Sequence, residues 1–158
     1  MIKTEAIILK STDTNEVDRL LTVYSKELGK INISAKGVKK LESKLRYNIE
    51  PISYVQLILV EGKNFLILKD AVLLDQFLNI KKDLEKIKIA RKLADLIDEA
   101  IAGEEKDEDV WFLILKTIQA INGNKSIDLA GFLKTFQKDL IKLLGYSPEH
   151  IKGLEDIY

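Results

Sequence analysis

The chain is predicted to be α+β, a small five-stranded barrel followed by a helical unit of about three helices. Three observations predict this. Apolar residues recur with a period near two as far as about residue 75, and with a period near four from Asn79 onward. Gly-containing turns separate the strand-like runs at hairpin spacing. With 158 residues, 46% of them hydrophobic, the chain can fold as one good-sized domain or as two small ones sharing an interface.

The first strand is expected over residues 2–10, where Ala6-Ile7-Ile8-Leu9 reads as buried on both faces; the polar stretch from Ser11 to Glu16 should end it. A second strand is expected over 20–25. Leu28-Gly29-Lys30 then turns the chain into Ile31-Asn32-Ile33-Ser34-Ala35, whose alternation puts Ile31, Ile33 and Ala35 on one face. Lys36 continues the opposite, outward face. Pro51 precedes a fourth strand over 52–60, Glu61-Gly62-Lys63-Asn64 is a tight turn, and a fifth strand runs over 65–74 with a bend at Lys69-Asp70. Five strands joined by hairpins and one long connection fit a closed barrel, since closure removes exposed edges, and the OB-fold is the barrel with this strand count.

From Asn79, Ile80, Leu84, Ile87, Ala90, Ala94, Ile97 and Ile101 fall on one helical face, widened by Leu93, Leu96 and Ala100. Gly103 and the acids of 104–109 end that helix and open the next, whose apolar face is Val110, Trp111, Ile114, Leu115, Ile118 and Ile121. A third helix starts near Ser126 or Asp128, either a good N-cap, and buries Leu129, Phe132, Leu133, Phe136, Leu140, Leu143 and Leu144. Gly145 sits at the expected left-handed C-cap, with Pro148 beyond. The division is therefore expected near residues 76–80, giving a barrel domain over 1–78 and a helical domain over 79–158.

Charge is the chain's most informative irregularity. Formal net charge is zero, yet residues 26–46 hold seven Lys/Arg against Glu27 and Glu42, a local +5. Such clustering on a connection between strands reads as a phosphate-binding surface, because grouped cations attract a polyanion and displace its counterions. A solvated loop with no partner has the same charge pattern. Catalytic signals are sparse. The one histidine, His150, stands in a polar tail, no phosphate-cradling glycine motif occurs, and the acids of 104–109 lack the spacing of a calcium loop. There are no cysteines, so neither disulfides nor Cys-ligated zinc is expected, and no cofactor or metal is called for. No run approaches the roughly 20 apolar residues of a membrane span, and the first residues lack a signal-peptide layout. A cytoplasmic location is expected.

Aromatic residues bear on how nucleic acid would be held, because bases stack on exposed rings. Tyr47, next to Arg46, is the best stacking candidate; Tyr24 and Phe65 lie in strand runs, and Trp111, Phe112, Phe132 and Phe136 have core-like spacing. Contacts should be mainly to phosphate, with little sequence readout.

Thr4-Glu5-Ala6-Ile7-Ile8-Leu9-Lys10, Asp18-Arg19-Leu20-Leu21-Thr22, Lys26-Glu27-Leu28-Gly29-Lys30, Ala35-Lys36-Gly37 and Ser43-Lys44-Leu45-Arg46 follow one another in an order that resembles the bacterial recombination-mediator family RecO. Pro51, Glu61-Gly62 and Leu143-Leu144-Gly145-Tyr146-Ser147-Pro148 extend the resemblance over nearly the whole chain. It implies an N-terminal OB-fold and a helical domain, binding of single- and double-stranded DNA, strand annealing, and a role without turnover chemistry in recombinational repair. It further implies cooperation with RecR, engagement of the C-terminal tail of single-stranded-DNA-binding protein, and help in loading RecA. Carried onto this chain, the phosphate contacts would be Lys36, Lys39, Lys40, Lys44 and Arg46, with Arg19, Lys26 and Lys30 as second choices; Arg19 could equally pair with Asp18. Many members carry a four-cysteine zinc site after the Gly-Tyr-x-Pro segment and continue through further helices, whereas here residues 150–158 hold no cysteine. A short form without zinc is the expectation. The alternative to a DNA-binding mediator is a non-catalytic adaptor whose helical half docks a partner peptide.

Overall fold

A computed structural model describes residues 1–40, 43–123 and 128–145. Five strands, β1 (Ile2–Asp13), β2 (Arg19–Ser25), β3 (Gly29–Ala35), β4 (Tyr54–Val60) and β5 (Leu66–Asp75), close into a barrel in the order β1-β2-β3-β5-β4, with β4 pairing back onto β1. Pairing is antiparallel except between β3 and β5, which meet in parallel only at Ile33↔Leu66 and Ser34↔Ile67. This is the expected OB-fold. The continuous apolar run of β1 is explained by its two destinations. Ala6 and Ile8 point into the barrel with Leu21, Val23, Ile31, Ile33, Val55, Leu57 and Leu59, whereas Ile7 and Leu9 point outward beneath the helices. Truncating a residue as buried as Ile8 to Ala would cost about 2–5 kcal/mol.

Several boundaries differ from the sequence expectation. β1 runs on through Ser11, Thr12 and Asp13, which pair with Leu21, Leu20 and Arg19, because a hairpin can continue past the core without burying its side chains. The β2–β3 turn falls at 26–28 rather than 28–30. There the buried Ser25 hydroxyl accepts from the Leu28 N–H (3.0 Å) and donates to the Gly29 carbonyl (2.9 Å). The expected bend in β5 is a register shift, with Ile58 opposite Asp70 but Leu59 opposite Leu68, leaving Lys69 as the extra residue.

The helices are α1 (Leu78–Lys81), α2 (Leu84–Ala100), α3 (Glu108–Gly123) and α4 (Leu129–Leu144). The expected first helix is therefore two. Asp83 adopts extended backbone and its carboxylate accepts from the N–H groups of Glu85 (3.0 Å) and Lys86 (3.3 Å), a cap that starts α2 afresh. Asp128 caps α4 by accepting from the Gly131 N–H, and Gly145 closes it at φ 76°. Within α4, Leu133, Phe136, Leu140 and Ile141 are buried, while Leu143 is exposed. The readings made at Ser126, at Tyr146 to Pro148, at His150 and for the side chain of Leu129 lie outside what the structure describes.

Barrel and helices share one core. Ile7, Leu9, Tyr24, Ile52 and Phe77 pack with Leu93, Ile97, Trp111, Ile114 and Phe136. The connection between α2 and α3 lies against the barrel as well. Glu105 crosses Gly29 so closely that any side chain there would meet its backbone, the Tyr24 hydroxyl donates to the Asp107 carbonyl (3.4 Å), and Lys106 pairs with Glu27 (3.2 Å). Burial, with Asp107 and Glu105 nearby, pushes the Tyr24 phenol up to about 12. The acids of 104–109 thus cover the barrel wall and start α3, where the Asp107 carboxylate caps the Val110 N–H.

Candidate nucleic-acid interface

The basic stretch of residues 26–46 is contiguous in sequence but divided in space. β2 and β3 pair with Ser25 opposite Gly29 at one end and Arg19 opposite Ala35 at the other. Seven residues of strand put those ends about 20 Å apart. Lys26 and Lys30 therefore stand at the helical end of the barrel, and Lys36, Lys39, Lys40, Lys44 and Arg46 at the opposite mouth.

At the helical end both cations have structural neighbours. Lys30 donates to the Asp98 carbonyl of α2 (2.6 Å) and to its carboxylate (3.1 Å), and Lys10 reaches the same carboxylate at 3.4 Å. Burial pushes the Asp98 carboxyl up, but the hydrogen bonds and charges of Lys30 and Lys10 outweigh it and hold the group below its ordinary value. The Lys26 ammonium lies 5.9 Å from the ring centre of Phe112. Phe112 is 53% exposed, so its expected place in the core is corrected: it occupies the outer face of α3, above Lys26.

At the open mouth, the connection from β3 to β4 is pinned from below. Val38 and Ile49 are buried in the barrel's interior cluster and Leu45 packs against it; between them Lys40 and Lys44 are exposed, while Lys39 and Arg46 are half-buried. Gly37 takes φ 68°, and its N–H donates to the Asp18 carboxylate (2.6 Å). A short 3-10 turn, Leu45–Tyr47, presents Arg46 and Tyr47 together. The Arg46 guanidinium lies 4.8 Å from the Tyr47 ring centre and donates to its hydroxyl (2.7 Å), and Tyr47 is 63% exposed. Phe65, just before β5, is exposed as well, but it lies beside Asn32 and Glu104 rather than with Tyr47.

Sequence reasoning overlooked the acids that stand among these cations. The β1–β2 connection rises at the same mouth and brings Asp13 and Asp18 with it. Asp13 accepts from the Lys39 ammonium (2.9 Å) and from Arg19 Nε (3.1 Å), so Arg19 pairs with Asp13 rather than Asp18. Hydrogen bonds from Lys39 and then Arg19 hold the Asp13 carboxyl below its usual range, and bonds from the Asn15 side chain and the Gly37 N–H do the same for Asp18. The signal was available: in an antiparallel meander, the turn before β2 and the connection after β3 must share one end. Lys36, Lys40, Lys44 and Arg46 have no ion-pair partner within 4.0 Å among the described residues. Nor, among the described residues, do three or more His, Cys, Asp or Glu side chains gather in a way that could hold a metal ion.

A second basic feature, also missed, lies on the helices. Lys92 of α2 and Lys134 and Lys138 of α4 border a groove of about 350 Å³ floored by Ile89 and Leu133. Its signal in the sequence was the i, i+4 spacing of Lys134 and Lys138.

The chain is similar to known proteins along almost its full length. Residues 1–77 match the family described as Recombination protein O N terminal, and residues 81–152 match Recombination protein O C terminal. It is 35% identical over 147 residues to the DNA repair protein RecO of Roseiflexus sp. (strain RS-1), covering 93% of this chain and 51% of that one. It is 30% identical over 149 residues to the DNA repair protein RecO of Thermoanaerobacter sp. (strain X514), covering 94% and 60%, and 33% identical over 149 residues to that of Heliobacterium modesticaldum, covering 94% and 53%. The chain thus spans between half and three-fifths of the length of these relatives. An OB-fold barrel joined to a helical unit, the ordered motifs along both, and the two family matches together place this chain in the RecO family of DNA repair proteins.

Proposed function

We propose that the chain is a DNA-binding recombination mediator that grips single- and double-stranded DNA mainly through phosphates, promotes annealing of complementary strands and assists RecA loading, acting in the cytoplasm without turnover chemistry. One observation carries the reading. Lys36, Lys40, Lys44 and Arg46 stand at the mouth of an OB-fold barrel without ion-pair partners among the described residues, beside an exposed Tyr47 ring. Ammonium and guanidinium groups that have no ion-pair partner among the described residues suit a phosphate backbone, and an exposed ring beside them suits an unstacked base. RecR is the expected working partner. The test is fluorescence anisotropy with labelled single- and double-stranded oligonucleotides on the wild type and on Lys36→Glu/Lys40→Glu/Lys44→Glu. Binding should fall by at least tenfold with the melting temperature unchanged; full affinity in the variant would refute the assignment.

A second reading, a partner-docking adaptor, is favoured by the groove of Lys92, Lys134 and Lys138. Its apolar floor between cationic walls suits an acidic segment carrying an apolar side chain, and the tail of single-stranded-DNA-binding protein is the partner this reading expects. Capture of that protein that depends on its tail and is lost in Lys134→Glu/Lys138→Glu would support docking here, and capture indifferent to both changes would exclude it.

A further inference from the structure

We propose that Arg19 and Lys39 form a phosphate subsite whose resident ligand is the Asp13 carboxylate, and that a DNA phosphate takes the place of that carboxylate on binding. The inference rests on the reading of this barrel mouth as the DNA surface. Asp13 offers one oxygen to each cation, Oδ1 to Arg19 Nε at 3.1 Å and Oδ2 to Lys39 Nζ at 2.9 Å. The two non-bridging oxygens of a phosphodiester can accept from the same two donors. Exposure separates the ligand from its holders: the Arg19 and Lys39 side chains are each 24% exposed, whereas that of Asp13 is 56% exposed. The cations therefore form the floor and the carboxylate its lid.

The two aspartates at this mouth differ in what they hold. Asp18 accepts a backbone N–H from Gly37 and the side-chain amide of Asn15, so it fixes the shape of the two connections. Among the described residues, the Asp13 carboxylate accepts only from the two cationic side chains. Its backbone is fixed separately, by strand pairing of Asp13 with Arg19, so the carboxylate can swing out by a change of rotamer while the strand stays in place. Lys39 keeps a second contact, to the Asn15 carbonyl at 3.4 Å, that would hold the floor during the exchange.

Asp13→Asn removes the resident charge and leaves the floor. Binding of a fluorescein-labelled oligothymidine should tighten by about threefold to tenfold, with the slope of log K against log salt unchanged, because both proteins make the same phosphate contacts once bound. Lys39→Ala should lower that slope by about 0.7 in either background. Glu16→Gln, which removes an equal charge from the same connection without releasing a cation, should tighten binding less. The proposal is overturned by unchanged or weaker binding in Asp13→Asn, the latter making Asp13 a positioning residue; by a slope steeper by about 1.4, which would show the carboxylate still seated in the wild-type complex; or by an equal gain from Glu16→Gln. Lys36→Glu/Lys40→Glu, run alongside, separates the subsite from the surface that contains it. If it binds like the wild type, the DNA reading of this mouth fails; if it loses binding while Asp13→Asn gains nothing, only the subsite fails.

Discussion

Gly29→Ala is the substitution that probes most sharply how the barrel is joined to the helices. Gly29 has φ 73°, and a Cβ placed there would run into the Glu105 carbonyl oxygen, with the carbonyl carbon at 2.8 Å and the amide nitrogen at 2.9 Å. A left-handed backbone costs an alanine about 1–2 kcal/mol, and forcing the Glu105 backbone off the strand costs about 1–3 kcal/mol more by analogy with overpacked cores. The sum, about 2–5 kcal/mol, converts at about 2–4 °C per kcal/mol for a chain of this size into a melting temperature lowered by about 4–20 °C. Thermal unfolding followed by circular dichroism measures it. Gly103→Ala is the control within the same connection, since a methyl group at Gly103 would meet nothing within 4 Å and its backbone is not left-handed, and it should leave the melting temperature essentially where it was. If Gly29→Ala melts together with Gly103→Ala, the tight seating of 101–107 on β3 is refuted.

Three further outcomes follow from the geometry. Asp98→Asn weakens the joint made by Lys30 and Lys10; with the carboxylate 27% and Lys30 16% exposed, the loss lies between that of surface and buried pairs, about 1–2 kcal/mol. Because the folded Asp98 pKa lies below its ordinary 3.8, the wild-type advantage is fully present above that value and shrinks as pH falls through the folded pKa, which paired denaturant titrations across acidic pH would detect. Asp83→Ala removes the α2 cap and should cost about 1 kcal/mol by urea unfolding. Tyr47→Ala should leave the melting temperature unchanged, because the ring is exposed, yet weaken single-strand binding by about tenfold, the equivalent of losing one stacked base.

Much of the architecture was legible in the sequence because its signals are local. The alternation in residues 31–35, the unbroken run of β1 and the Gly145 cap each depend on near neighbours and emerge as expected. The break between α1 and α2 was not legible, since the apolar stripe continues through Lys82 and Asp83 and only the hydrogen bonds of the Asp83 carboxylate end one helix and begin another. Phe112 carries an apolar ring at core-like spacing, yet what the barrel brings to that face of α3 is the Lys26 ammonium of the β2–β3 turn, and the ring stays 53% exposed. The basic stretch shows the same limit most plainly. Counting charge from 26 to 46 adds cations from two ends of a barrel and omits Asp13 and Asp18, because distance along the chain is not distance across a meander. The pinning of Val38, Leu45 and Ile49 beneath the loop is likewise a product of closure.

If cations at the open barrel mouth hold phosphates, the salt dependence of single-strand binding must report how many do so. Four cations without ion-pair partners among the described residues, at about 0.7 each, give a slope of log K against log salt of about −2.8, rising to about −4.2 if Arg19 and Lys39 also engage. The slope should fall to about −1.4 or less when Lys36, Lys40, Lys44 and Arg46 are replaced by alanine. A wild-type slope shallower than about −1, or one that the fourfold replacement leaves unchanged, would show that phosphates are held elsewhere.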